Sequence, residues 1–319
     1  MVQWDKKKYV GDGIGFMDGG NFSFLLLIVL AYILVKRGFD STVFEGLPKL
    51  LFSVCYPALV LVTFTNVDAD FTPEIILYIT LFAVITGLGF YLLAFFVLRR
   101  YQTPGRKEII LFYFLVANTF VALPFIAFFF GSFGLSFVIL FGVILDFFVW
   151  SLGYTQFAPR QNLKDTLKVI FNPCFITILI GMTMALLDIP IPAVIAPPIH
   201  MLADAVIPFV LLFVGSLLAK NSDALRSIDK DVVLTVLLRV VVLPIITFVV
   251  LRLFRMEFSL AFLSAFLIAL PAPMLGIVLA KQFGKDVNFA NALFVVSTPI
   301  FVIGCGILFL LQRQGFLLL

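Results

Sequence analysis

Asn118-Thr119-Phe120-Val121-Ala122-Leu123-Pro124 interrupts one long apolar stretch, and Pro271-Ala272-Pro273-Met274 interrupts another in the second half of the chain. Pro124 follows Pro57 by 67 residues, and Pro271 and Pro273 follow Pro208 by 63 and 65. Proline removes a backbone donor and clashes with the carbonyl one turn earlier, so each motif marks a helix that loses hydrogen bonds. In hydrocarbon such freed groups are tolerated only inside protein or beside a wet cavity. Broken helices at matching places in two halves are the sequence pointer to a substrate site between inverted repeats. The competing reading is two ordinary proline kinks, which are frequent in membrane helices.

The surrounding composition makes the membrane reading firm. The chain is 62% hydrophobic and 13% charged, against roughly a quarter charged in soluble domains. A membrane helix needs about 20 mostly apolar residues. Ten segments fit, at 21–36, 44–65, 73–98, 107–130, 134–157, 170–187, 193–219, 231–252, 258–282 and 288–311. The expected fold is therefore an all-α polytopic membrane protein of ten helices in a 5+5 inverted repeat, with broken crossover segments 4 and 9. Its parts are a polar tail (1–20), a first five-helix repeat (21–157), a linker (158–169), a second repeat (170–311) and a short tail (312–319). The first apolar run leads into Lys36-Arg37 without a small-residue cleavage site, unlike a signal peptide. The short loops leave no room for a soluble domain and there is no GxxxxGK[ST], so no nucleotide, metal or other cofactor is expected. Cys55, Cys174 and Cys305 lie in apolar segments and read as buried small hydrophobes rather than a disulfide.

Lys and Arg in short loops set orientation. One side collects Lys36, Arg37, Arg99, Arg100, Arg106, Lys107, Arg160, Lys164, Lys168, Lys220, Arg226, Lys230, Lys281 and Lys285; the other has only Lys6, Lys7, Lys8, Arg252, Arg255 and Arg313. The richer side is cytoplasmic, which places both termini outside. The basic linker at 158–168 reads as a contact for membrane lipid headgroups, not for nucleic acid.

Ionisable residues at membrane depth are expensive and usually functional. Asp146 is 12 residues into segment 5, roughly 18 Å along it and near the bilayer centre. Arg239 lies inside segment 8. An Asp146–Arg239 pair reads equally as a fixed strut or as a working pair, with Arg239 attracting an anion and Asp146 titrating. His200 and Asp204, one turn apart in segment 7, read as a proton relay or as a local hydrogen bond. In segment 10, Asn291, Ser297 and Thr298 could line the site, although Ser and Thr often bond back to their own helix.

At these motifs the chain resembles the auxin efflux carrier family, which includes plant PIN-type carriers and bacterial malate-type permeases. Asn118 through Pro124 is similar to that family's first crossover. Ala269-Leu-Pro271-Ala-Pro273, running on to Val278-Leu-Ala-Lys281-Gln-Phe-Gly284, is similar to the second. Asn172-Pro173, Gly181, Pro208 with Gly215, and Arg239 with Pro244 also fall in the family's pattern. The resemblance implies a fold shared with bile-acid symporters. Segments 1, 2, 6 and 7 would form a scaffold, often a homodimer, against which segments 3–5 and 8–10 slide as an elevator. It implies that Asn118 contacts a small organic anion, with Pro124 and Pro271 shaping the crossover; Thr119, Pro273, Met274 and Arg239 are the further residues expected to line the substrate site. Pro-Ala-Pro-Met stands where the plant carriers have a second asparagine, and Asp146 and Asp204 stand apart from them.

The function expected is secondary or facilitative transport of a small carboxylate across a bacterial or archaeal cytoplasmic membrane, with H+ or Na+ as a coupling ion through Asp146, Asp204 or His200. The alternatives are a cation-coupled symporter of a bile-acid-like or other carboxylate, a sensor without transport, and an intramembrane enzyme using His200 and Asp204. The last would need a nucleophile or metal ligands beside the single histidine.

Overall fold

The structure is a computed structural model and describes residues 25–65, 72–100, 103, 105–157, 176–177, 180–181, 183–184, 187 and 189–313. The N-terminal tail, the linker, most of segment 6 with Cys174, and the last residues of the C-terminal tail lie outside the described residues. Among the described residues the elements are all helical. Six stretches are long and apolar enough to cross a membrane, namely Thr42–Thr65, Pro73–Arg100, Lys107–Phe157, Ala196–Lys220, Lys230–Leu253 and Val287–Gln312; Leu26–Lys36 and Phe258–Ile268 are shorter apolar helices.

In chain order the elements that matter are α1 (Leu26–Lys36), α2 (Tyr56–Thr65), α3 (Pro73–Val97), α4 (Lys107–Leu115), α5 (Thr119–Phe148), α6 (Ala196–Asp204), α7 (Val206–Lys220), α8 (Lys230–Val236), α9 (Leu243–Leu253), α10 (Phe258–Ile268), α11 (Met274–Gln282) and α12 (Val287–Arg313). Wide π-helical turns cover Leu51–Cys55 and Leu237–Val242. They precede Pro57 and Pro244, and they contain Ser53 and Val240, the carbonyls to which those prolines cannot donate. A widened turn absorbs the ring clash without ending the helix.

The 51-residue stretch Lys107–Phe157 is too long for one crossing. It folds at Gly131, whose φ of 60° and ψ of −149° belong to a region essentially restricted to glycine. Thr119 and Gly142, nearly equidistant from that point, touch, with a Cβ at Gly142 falling 3.2 Å from the Thr119 methyl. Segments 4 and 5 are thus two antiparallel passes joined by a turn at Gly131.

The chain forms two compact units. The first gathers residues within Met1–Leu77, Leu123–Leu140 and Phe171–Lys220. Its closest packing is α1 on α7, where Gly215 admits the α1 backbone: a Cβ there would lie 2.2 Å from the Ile28 carbonyl oxygen. Small residues permit such approach where no hydrophobic effect drives helices together. The second unit gathers residues within Tyr78–Ala122, Phe141–Ile170 and Asn221–Leu319. Its core is phenylalanine-rich, with Phe112, Phe141, Phe289 and Phe294 fully buried. Cys55 and Cys305 are buried free thiols.

Candidate functional site

The second unit carries the crossover. α4 stops at Leu115, Val116 is extended (φ −115°, ψ 150°), and α5 restarts at Thr119 with Asn118 as its N-cap. In the other limb α10 stops at Ile268, and α11 restarts at Met274 after an extended Pro273. The first break therefore lies at Val116–Asn118, not at Pro124, which sits buried within α5 in the part counted with the first unit. Tertiary partners decide this. Their hydrogen bonds reward extension at 116–118, whereas Pro124 sacrifices one donor early in the following helix. In the second limb both prolines fall inside the break.

Asn118 donates from Nδ2 to the Ala272 carbonyl at 3.1 Å. The Ala272 amide donates to Ser297 Oγ at 2.9 Å, and Ser297 donates to its own helix at Leu293 O, 2.6 Å away. Ala272 is thereby held on both faces, by the first limb and by α12. Asn118 donates its amide across the crossover, and its side chain makes no capping bond to its own helix. No side chain caps α11 at Pro273 either. Two helix N-termini, each carrying unsatisfied N–H groups and positive dipole charge, are brought together by the Asn118–Ala272 bond.

Arg239 serves the opposite polarity. It is 2% exposed and donates from Nε to Tyr113 O and from Nη2 to Val116 O, each at 3.2 Å. These are carbonyls at the C-terminal end of α4, where a cation is favoured. Its guanidinium carbon lies 5.7 Å from the Phe90 ring and 5.9 Å from the Tyr113 ring. Nη1 is buried without a hydrogen-bond partner, and no carboxylate pairs with Arg239 among the described residues. The Asp146–Arg239 pair is thus not formed: the guanidinium is committed to backbone carbonyls, while Asp146 is exposed.

The helices bearing these groups are tied at one end by Arg106. It pairs with Asp229 and Asp231, at the start of α8, and with Asp286, just before α12, at 2.8 Å; it also lies 4.7 Å over the Phe289 ring. Lys285 bonds Glu108 at 2.7 Å. Partial burial works to raise the Asp229 carboxyl, but the Val232 amide, Arg106 and the Asp231 amide outweigh it and hold it below the ordinary carboxylate range. Burial likewise opposes the charge on Arg106, and Asp286 and Asp229 more than restore it. From Asp229 to Arg239 and from Asp286 to Ser297 the helical rise is roughly 15 Å, half the thickness of a bilayer core. The tie sets the crossover at mid-depth.

Residues 160–308 match the family described as membrane transport protein. Over these residues, a little under half of the chain, the sequence is similar to that family, the one of the auxin efflux carriers. The match contains Arg239, Pro271, Pro273, Met274 and Ser297, and the chain is an integral membrane protein. No curated protein matches the chain.

Of the remaining residues singled out in the sequence, Thr119 and Met274 are half-buried at the first turns of α5 and α11 and meet the crossover, while His200 and Asp204 lie elsewhere, in the first unit. Both are exposed, and α6 ends at Asp204. Ser297 does bond back to its helix, yet it also accepts from the crossover, a role its sequence context left open. Ala272 is the residue that sequence reasoning missed, because its contribution is made entirely by its backbone. The signal was its position between two prolines, which leaves its amide as the lone donor of Pro271-Ala272-Pro273.

Proposed function

We propose that the protein carries a small organic anion, a carboxylate of the malate or auxin-like type, by alternating access, and binds it at the crossover. The observation that carries this reading is the meeting of two uncapped helix N-termini at the Asn118–Ala272 bond. Backbone N–H groups and aligned dipoles there favour negative charge. Arg239, buried and with one nitrogen unpartnered, adds positive potential on the same limb. A buried charge without a counter-charge is costly, and a carboxylate substrate would supply one. Asn118, Thr119 and Met274 contact the substrate in this reading, and Pro271 and Pro273 hold the second break open.

In this reading the ten segments form an inverted repeat that works as an elevator. The division into two units supports it in part: the first unit draws on segments 1, 2, 6 and 7 and the second on segments 3–5 and 8–10, except that Pro73–Leu77 and Leu123–Leu140 around Gly131 group with the first. α1 buries Ile28 and Ala31 but exposes Leu26, Val29, Leu30 and Ile33, an apolar face fit for lipid or for the partner of a homodimer. The Lys and Arg asymmetry of the loops favours termini outside the cytoplasm of a prokaryotic cell.

The test is uptake of radiolabelled malate by proteoliposomes under imposed voltage, pH and sodium gradients. Voltage-sensitive uptake that Asn118→Ala lowers is expected. Uptake unaffected by that variant would remove the site as placed, and none under any gradient would remove malate.

A further inference from the structure

Asp146 takes no part in the crossover, yet it sits level with it. Gly87 of α3 packs against both the Leu145 side chain and the Leu115 carbonyl, the last of α4: a Cβ on Gly87 would lie 3.0 and 3.6 Å from them. Asp146 is therefore at the depth where the first crossover limb breaks, one turn beyond Gly142, which touches Thr119. Its helix buries Phe141 and Leu145, whereas Asp146 and Phe147 are exposed.

The charged groups on the neighbouring helices are committed elsewhere, while the Tyr113 hydroxyl of α4 is buried without a hydrogen-bond partner. On α3, the Tyr78 hydroxyl meets Ser264 and the Tyr91 hydroxyl accepts from Gln156; Glu74 is at its far end. On α4, Glu108 bonds Lys285 and Lys107 lies over Phe95. Arg239 bonds α4 carbonyls. No described residue forms an ion pair with Asp146.

We infer that Asp146 is a proton-coupling carboxyl, which is protonated when its face meets an apolar surface and ionised when it meets water. The inference rests on the transport reading. A bare carboxylate at mid-membrane is expensive, so the neutral form moves through hydrocarbon or past a packed protein surface and the charged form stays in a wet cleft. Alternating access changes which aqueous phase reaches that face. One O–H bond forms with a proton from one side and breaks to the other side in each cycle, linking substrate movement to the proton gradient.

Two measurements test this. The first uses dicyclohexylcarbodiimide, which enters the bilayer and adds a protonated carboxyl across its C=N bond, the acid proton going to nitrogen. Peptide mass spectrometry of the reconstituted protein is expected to find the adduct at Asp146, with a labelling rate falling about tenfold per pH unit once the group ionises. No adduct there, or a rate indifferent to pH, overturns the inference without touching the transport reading. The second is malate uptake with the potential clamped at zero. An inward gradient of one pH unit should drive up to about tenfold accumulation in the parent protein and in Asp146→Glu. Asp146→Asn should equilibrate malate without concentrating it. Accumulation retained by Asp146→Asn, or parent uptake indifferent to the gradient, overturns the coupling. Normal labelling with no uptake at all removes malate as the substrate and overturns its coupling through Asp146.

Discussion

Replacing Asn118 by alanine removes the hydrogen bond that ties the two crossover limbs, and the structure sets the size of the loss. The donor is neutral and the acceptor is the Ala272 carbonyl at 3.1 Å, with Asn118 only 5% exposed. A neutral hydrogen bond contributes about 1 kcal/mol net, but a buried carbonyl left unpaired raises the cost to about 1–3 kcal/mol. The Ala272 amide keeps its bond to Ser297, so the second limb stays anchored from behind and the protein still inserts. The penalty therefore falls on the registration of the two helix N-termini. If that registration forms the anion site, uptake at low substrate drops by about fivefold to a hundredfold, since about 1.4 kcal/mol is a factor of ten.

Asn118→Asp separates the roles. The carboxylate cannot donate to Ala272 and adds a negative charge that the helix N-terminus tolerates, so folding suffers little more than in the alanine variant. An anionic substrate is repelled, and uptake should fall below that of Asn118→Ala. The assay is proteoliposome uptake, normalised to protein that elutes as a single species in detergent. Equal uptake by the asparagine and alanine forms would refute the argument. An aspartate form as active as the parent would refute the negative charge of the substrate.

Arg239→Lys keeps the charge but loses the planar fork that spans Tyr113 O and Val116 O; losing one charge-assisted bond, about 1.5–3 kcal/mol, should lower uptake at least tenfold, as read against a well-folded control. Gly215→Ala places a methyl carbon 2.2 Å from the Ile28 carbonyl oxygen, so α1 and α7 must part, and the thermal unfolding midpoint in detergent should fall, while Gly304→Ala, with open space around it, should leave it unchanged. Asp229 has its folded carboxyl held below the ordinary range, so its contribution is complete above the unfolded value near 4 and is lost as pH falls through the folded value; Arg106→Ala should flatten that acid limb in a melt series across pH.

Much of the fold was legible because helix breakers in hydrocarbon have few innocent uses. Pro271 and Pro273 lie in the break that their spacing announced, and Asn118 stands at the N-terminal end of the helix after the other one. That five residues separate this break from Pro124 was not legible. Whether backbone at 116–118 extends depends on Arg239, Ala272 and Ser297, which are distant in sequence and reward extension only after packing. The same reason separates Arg239 from Asp146. Composition suggested that two opposite charges at membrane depth would pair, but a helix that stops inside the membrane leaves carbonyls whose need for a donor is as great as a carboxylate's need for a cation. Once the α4 terminus claims the guanidinium, Asp146 must find water or a proton. Breaking a helix at mid-depth thus presents positive ends that favour an anion and, by drawing a cation to its negative end, leaves an unpaired carboxyl at the same level.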